Sequence, residues 1–128
     1  MILDTSAIID VLKGEKNINV KIQELEKRNV TFLFTSISVF EIWKGIIDIQ
    51  NEEKLKKIKF LFDSVNILGF DAESAKEAGI IYSNLEKKGK VIEPEDCMII
   101  GIAKINKEPI LTKDKHFQRV SDLKIEFY

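Results

Sequence analysis

Cysteine is nearly absent from this chain of 128 residues, and Cys97 is the single one. A disulfide scaffold is therefore excluded. Only two prolines and six glycines occur, and the glycines are scattered at positions 14, 45, 69, 79, 89 and 101. No GxGxxG or GxxxxGK[ST] spacing exists among them, so nothing supports a nucleotide-cradling loop. His116 is the lone histidine, which leaves no His/Cys set for zinc. The longest apolar run, Cys97 to Ala103, is far too short to cross a bilayer. The opening MILDTSAIID has no basic flank and is interrupted by Asp4, so it does not read as a secretion signal. A cytoplasmic protein without membrane association is expected.

Charge of either sign is not in excess. Lys and Arg number 20 and Asp and Glu 21, a net charge of −1. A domain wrapped in nucleic acid would usually be strongly basic, but a local phosphate-binding site is compatible with this balance. Arginine is limited to Arg28 and Arg119. The lysine and isoleucine richness fits a hot habitat and an AT-rich genome equally well.

Hydrophobic residues make up 45% of the chain, enough to offset chain entropy, and the length fits one domain over residues 1–128. The pattern along it alternates. Short apolar runs at Met1–Leu3, Val30–Thr35, Val65–Leu68, Ile110–Thr112 and Lys124–Phe127 read as strands. Helices are expected from a Thr5 or Ser6 cap to Lys13, ended by Gly14, and over Asn17–Arg28. A third should run from Ser36 or Ser38 to about Ile49, and a fourth over Glu52–Phe62. Asp71 caps a fifth, with Ala75, Ala78, Tyr82 and Leu85 on one face, and Pro94 opens a sixth to about Asn106. The middle of that sixth helix, CMIIGIA, is apolar all round and should be buried. Strands separated by helices imply a parallel sheet covered on both faces.

Ligands of such sheets bind beyond the carboxyl ends of the strands. Asp4 follows the first strand and Asp114 the fourth, while Glu41 and Asp96 fall in the first turns of helices. Each has a structural explanation when taken alone. Asp96 suits a helix N-terminus, Ser38 to Glu41 spells a capping box, and Asp4 and Asp114 suit turns. Together they would crowd one edge of one sheet. Carboxylates about 4 Å apart repel by roughly 4 kcal/mol per pair at an effective dielectric near 20. Such a group stays ionised only around a cation, and oxygen-only ligands suit a hard ion, Mg²⁺ or Mn²⁺. That combination serves phosphate chemistry.

At these residues the chain resembles a known family. LDTS (Leu3 to Ser6), TSISVFEIWKG with Glu41 and Gly45, EDCMIIGIA with Asp96, and LTKDKHF with Thr112, Asp114 and Phe117 resemble the PIN domain, and more narrowly the VapC-type toxins of toxin–antitoxin pairs. The motifs are individually short, but their order and spacing span the chain. The resemblance implies an α/β fold, a three-layer α/β/α sandwich around a central parallel sheet of four to five strands. It implies an endoribonuclease dependent on Mg²⁺ or Mn²⁺ that leaves a 3′-hydroxyl and a 5′-phosphate, forms a homodimer and is silenced by a VapB-like antitoxin. Asp4 and Asp96 would be the main metal ligands, Asp114 would bind a second metal or a metal-bound water, and Glu41 would orient or deprotonate the attacking water. Ser6 and Thr112 would hold the carboxylates or a phosphate.

Other residues invite a role. Lys113, Lys115 and Lys44 lie near the acidic positions and are candidates to guide RNA, against the plain alternative of a solvated surface. Lys54 to Lys59 reads as a solvated helix face. Cys97 reads as a small core hydrophobe, His116 as a surface residue, and Trp43 and the phenylalanines as core or dimer surface. Two other readings compete with the nuclease. One is a non-catalytic PIN-like interaction module. The other is a phospho-aspartyl phosphatase or receiver domain, which Ser6 disfavours, since the phosphatase needs an acid there.

Overall fold

A computed structural model describes residues 1–46 and 51–128. Five parallel strands form one sheet in the order β3-β2-β1-β4-β5. These are β1 (Ile2–Leu3), β2 (Leu33–Thr35), β3 (Asn66–Leu68), β4 (Ile110–Thr112) and β5 (Ile125–Phe127). Among the described residues six helices intervene: α1 (Thr5–Lys13), α2 (Lys16–Lys27), α3 (Ser36–Ile46), α4 (Glu52–Asp63), α5 (Ala72–Lys87) and α6 (Pro94–Asn106). A 3₁₀ turn, Lys115–Arg119, lies between β4 and β5.

Side chains alternate along each strand and so feed two cores. Leu3, Phe34 and Leu111 point to the layer of α1–α4, with Ile8, Ile18, Leu25, Ile42, Ile58 and Phe62. Ile2 and Ile110 point the other way, to α5 and α6, with Ile81, Leu85, Ile99, Ile100 and Phe117. The expected three-layer arrangement follows directly. Gly14 ends α1 at φ 74°, a left-handed conformation that favours glycine. Asp71 caps α5 by accepting from the Ser74 N–H at 2.8 Å.

Several local expectations need correction. The residue preceding α1 is Asp4, not Thr5 or Ser6, and its side chain makes no cap. β2 begins at Leu33 rather than Val30, β3 at Asn66 rather than Val65, and β5 at Ile125 rather than Lys124. The buried line of α5 is Ser74, Ala78, Ile81 and Leu85, with Ala75 in solvent. The reason is Gly101 of α6, where an added Cβ would sit 2.5 Å from the Ser74 carbonyl oxygen. The bare glycine lets α5 approach on its Ser74–Ala78 side. The expected end of α3 near Ile49 lies outside the described residues.

β1 is central. The chain steps from it through β2 to β3, then returns to β4 on its other flank. The strand order thus reverses between β1 and β4, and the crevice beyond their carboxyl ends is where such sheets bind ligands.

Candidate active site

Asp4 emerges from β1 into that crevice and is 4% exposed. Its Oδ2 accepts from Ser6 Oγ at 2.7 Å and from Thr112 Oγ1 at 2.8 Å. Thr112 is the last residue of β4, so one hydroxyl ties the two central strand ends together. The same Oγ1 accepts the Asp114 N–H at 2.9 Å, which sets the turn that presents Asp114. With both side-chain donors on Oδ2, Oδ1 is the oxygen left for another partner. Burial pushes the Asp4 carboxyl above its usual range, although Ser6 and Thr112 oppose it.

Glu41 lies in the second turn of α3, not the first, because the helix starts at Ser36. The capping-box reading fails with it. Ser38 is fully buried inside the helix and its Oγ meets Thr35 Oγ1 at 3.0 Å. Thr5 Oγ1 lies 3.0 Å from Ser38 Oγ and 2.6 Å from Glu41 Oε2. Glu41 is therefore held from α1, by a buried set of hydroxyls, and not by its own helix end. Burial raises its carboxyl, as does the charge of Asp4, while the Thr5 hydrogen bond opposes the rise.

Asp96 stands in the first turn of α6, after Pro94 and Glu95. A helix N-terminus should favour its charge, yet its carboxyl is pushed up to about 7. Burial is the largest cause, followed by the charges of Asp4, Asp114, Glu41 and Glu93. The charges of Asp4 from β1, Glu41 from α3 and Asp114 from the end of β4 are thus all felt at Asp96 on α6. Asp114 is partly open, with a side chain 36% exposed, and its Oδ1 accepts the His116 N–H at 2.7 Å.

The donors facing the crevice are carboxylate and hydroxyl oxygens, which suits a hard divalent ion. Among the described residues, no Lys, Arg or His comes within ion-pair distance of Asp4, Glu41 or Asp96. Buried charges are ordinarily paired or metal-bound, so the donor set fits a cation. Nor, among those residues, are three acidic, His or Cys side chains already gathered into a cage. Mg²⁺ does not need one, since it keeps several waters and takes only one or two carboxylates.

The other candidates sort clearly. Lys113 does not face the crevice, since its ammonium pairs with Asp10 of α1. Lys44 stacks over the Phe40 ring at 5.2 Å from its centroid. Lys115 is exposed, as is the Lys54–Lys59 face. Cys97 is 2% exposed and its thiol is pushed up to about 11 by burial and by Asp96, which fits an inert core residue. His116 is exposed. Phe40, Trp43 and Phe60 are exposed rather than core.

Sequence reasoning passed over Thr5, Thr35 and Ser38 as positioning groups, and Asp10 and Tyr128 altogether. Tyr128 directly follows β5, so the strand-end rule marked it. A phenol there carries no metal-ligand signal of its own, which is why the sequence does not single it out.

Residues 1–123 match the family model described as PIN domain. Ribonuclease VapC3 of Methanocaldococcus jannaschii is 34% identical over 101 residues, covering 79% of this chain and 95% of that protein. A tRNA(fMet)-specific endonuclease VapC of Shigella flexneri is 28% identical over 126 residues, 97% of this chain and 94% of that one. Among solved structures, a DNA-bound VapBC from Salmonella typhimurium superposes with a TM-score of 0.85 at 26% identity, over 98% of this chain and 96% of that chain.

Proposed function

From a chain that belongs to the PIN domain family, and within it to the VapC ribonucleases, we propose an endoribonuclease that hydrolyses RNA phosphodiesters at the crevice between β1 and β4, working as one domain over residues 1–128. The single observation that carries this assignment of the site is Asp96. A carboxyl raised to about 7 by burial and by Asp4, Asp114 and Glu41 marks a negative pocket in which, among the described residues, Asp4, Glu41 and Asp96 have no cation at ion-pair distance.

Asp4, through Oδ1, and Asp96 would hold Mg²⁺ or Mn²⁺, with Asp114 at the open side. When bound, such an ion polarises a phosphoryl oxygen and lowers the pKa of its water. The chain's own residues do the rest. Ser6 and Thr112 fix Asp4 by occupying Oδ2. Thr5 occupies Glu41 Oε2 and leaves Oε1 to orient the attacking water and take its proton. The raised carboxyl of Glu41 brings it nearer the strength a general base needs at neutral pH. The water oxygen bonds to phosphorus, the P–O3′ bond breaks, and the O3′ takes a proton. The products are a 3′-hydroxyl and a 5′-phosphate.

The working partner is a VapB-like antitoxin, as in the VapBC complex, and the active form is a cytoplasmic homodimer. Among the described residues no helix is long and apolar enough to cross a membrane. Transfer RNA is the first substrate to test, given the relative named for it. The decisive assay incubates RNA with purified protein in EDTA, then with Mg²⁺ or Mn²⁺. Cleavage should appear only with metal and vanish in folded Asp4→Asn and Asp96→Asn variants. Metal-independent cleavage, or full cleavage by both variants, overturns the reading.

A non-catalytic interaction module is favoured by one observation, the lack of a ready-made three-ligand cage among the described residues. Calorimetry separates the two readings. Saturable Mn²⁺ uptake supports the nuclease, and none at millimolar concentration supports the module.

A further inference from the structure

Asp10 is an acid with no part in the chemistry above, yet it is 7% exposed. It sits two turns along α1 from Asp4, and its Oδ2 accepts from two distant groups. One is the Lys113 ammonium and the other is the Tyr128 hydroxyl, at 3.0 Å. Three segments that build the crevice therefore meet on one carboxylate: α1, the chain leaving β4, and the end of β5. The Tyr128 hydroxyl also lies beside Ser6, which itself donates to Asp4.

The identity of the captured cation gives the arrangement its meaning. Lys113 stands between Thr112, which bonds Asp4, and Asp114, which acts electrostatically on Asp96. Its side chain is half exposed, and among the described residues the contact with Asp10 is what fixes its head. A lysine at that position, if unlatched, has a buried negative pocket within reach and every electrostatic reason to enter it. There it would compete with a divalent ion for the same oxygens.

We propose that Asp10 is a positioning residue for metal binding, which sequesters the Lys113 ammonium and so keeps the acidic pocket open to a divalent ion. Tyr128 supplies the second donor that aims the Asp10 carboxylate at Lys113. The inference rests on the metal-dependent reading of the pocket and names the residue that controls its occupancy.

The test titrates Mn²⁺ calorimetrically into the metal-free chain and follows RNA cleavage against Mn²⁺ concentration. Asp10→Asn should weaken Mn²⁺ binding about 10-fold, the low end of what outer partners of metal ligands cost. The cleavage rate at saturating Mn²⁺ should fall by less than the affinity does. Adding Lys113→Met to Asp10→Asn should restore the affinity, which loss of a merely structural contact would not allow. Lys113→Met alone should bind Mn²⁺ no more weakly than wild type, and this variant decides the matter if Asp10→Asn does not fold. Unchanged affinity in folded Asp10→Asn, no rescue in the double variant, or weakened binding by Lys113→Met overturns the latch alone. Wild-type protein that takes up no Mn²⁺ overturns the metal reading and the latch together.

Discussion

Replacing Asp96 with asparagine should stabilise the metal-free protein, and the gain should depend on pH. The carboxyl is raised from its ordinary range to about 7 in the folded state, chiefly by burial and then by Asp4, Asp114 and Glu41. Between about pH 4 and 7 the folded chain therefore holds a proton that the unfolded chain has released. Stability falls as pH rises wherever the folded state binds more protons. The loss begins near the unfolded pKa and is complete above the folded one. A shift of about three units corresponds to about 4 kcal/mol, and relaxation with water entry returns part of it, leaving about 2–4 kcal/mol. Asparagine keeps the shape and never carries the charge, so it escapes that cost above pH 7 and gains almost nothing near pH 4. For a chain of this size each kcal/mol moves the midpoint by about 3–6 °C. Scanning calorimetry in EDTA should place Asp96→Asn at least 6 °C above wild type at pH 8.5, with the gap closing toward pH 4.5. A gap of the same size at both pH values, or none at pH 8.5, would refute the crowded pocket.

Mn²⁺ affinity should fall about tenfold per pH unit below 7, because the ion must displace the Asp96 proton; calorimetric titrations at pH 5.5, 6.5 and 8 check the slope, and a flat profile counts against Asp96 as a ligand. Ser38→Ala should cost about 1 kcal/mol by removing the Oγ that the Thr35 and Thr5 hydroxyls meet, while Thr5 keeps Glu41 and Thr35 keeps the backbone N–H at position 38, and urea unfolding reads it. Gly101→Ala should destabilise by about 1–3 kcal/mol or more, since its Cβ meets the Ser74 carbonyl at 2.5 Å. Thermal melts of this variant against wild type check the sign.

The elements that local chemistry dictates could be read from the chain. Gly14 after an amphipathic run, Pro94 before an apolar one and Asp71 ahead of Ser74 each act within a few residues, and each does in the structure what its neighbourhood requires. The strand-end rule likewise led to Asp4 and Asp114, because parallel strands put their carboxyl ends on one edge. What stayed hidden depends on partners far away in the chain. Glu41 looked like half of a capping box until Thr5, 36 residues earlier, took its carboxylate. Asp10 carries no local signal of its role, because its partners are 103 and 118 residues distant. The buried line of α5 was misread for a similar reason. Helical spacing offers several faces, and a glycine on the opposing helix chose among them.

These two kinds of information meet at the switch between β1 and β4. The fold supplies the place at no local expense, since two independent cores on either side of the sheet provide the apolar burial. That freedom allows the crevice to carry an arrangement a core could not tolerate: acids sharing one pocket, with Lys113 tied off on Asp10. Thr5, Ser6, Thr35, Ser38 and Thr112 spend their hydroxyls on aiming the carboxylates rather than neutralising them. A hydroxyl donor satisfies one oxygen lone pair and leaves the negative charge in place, whereas an ammonium would have removed it. The preference for hydroxyls over cations around Asp4 and Glu41 is thus what keeps the pocket demanding a cation from solution. At neutral pH a proton on Asp96 meets part of that demand.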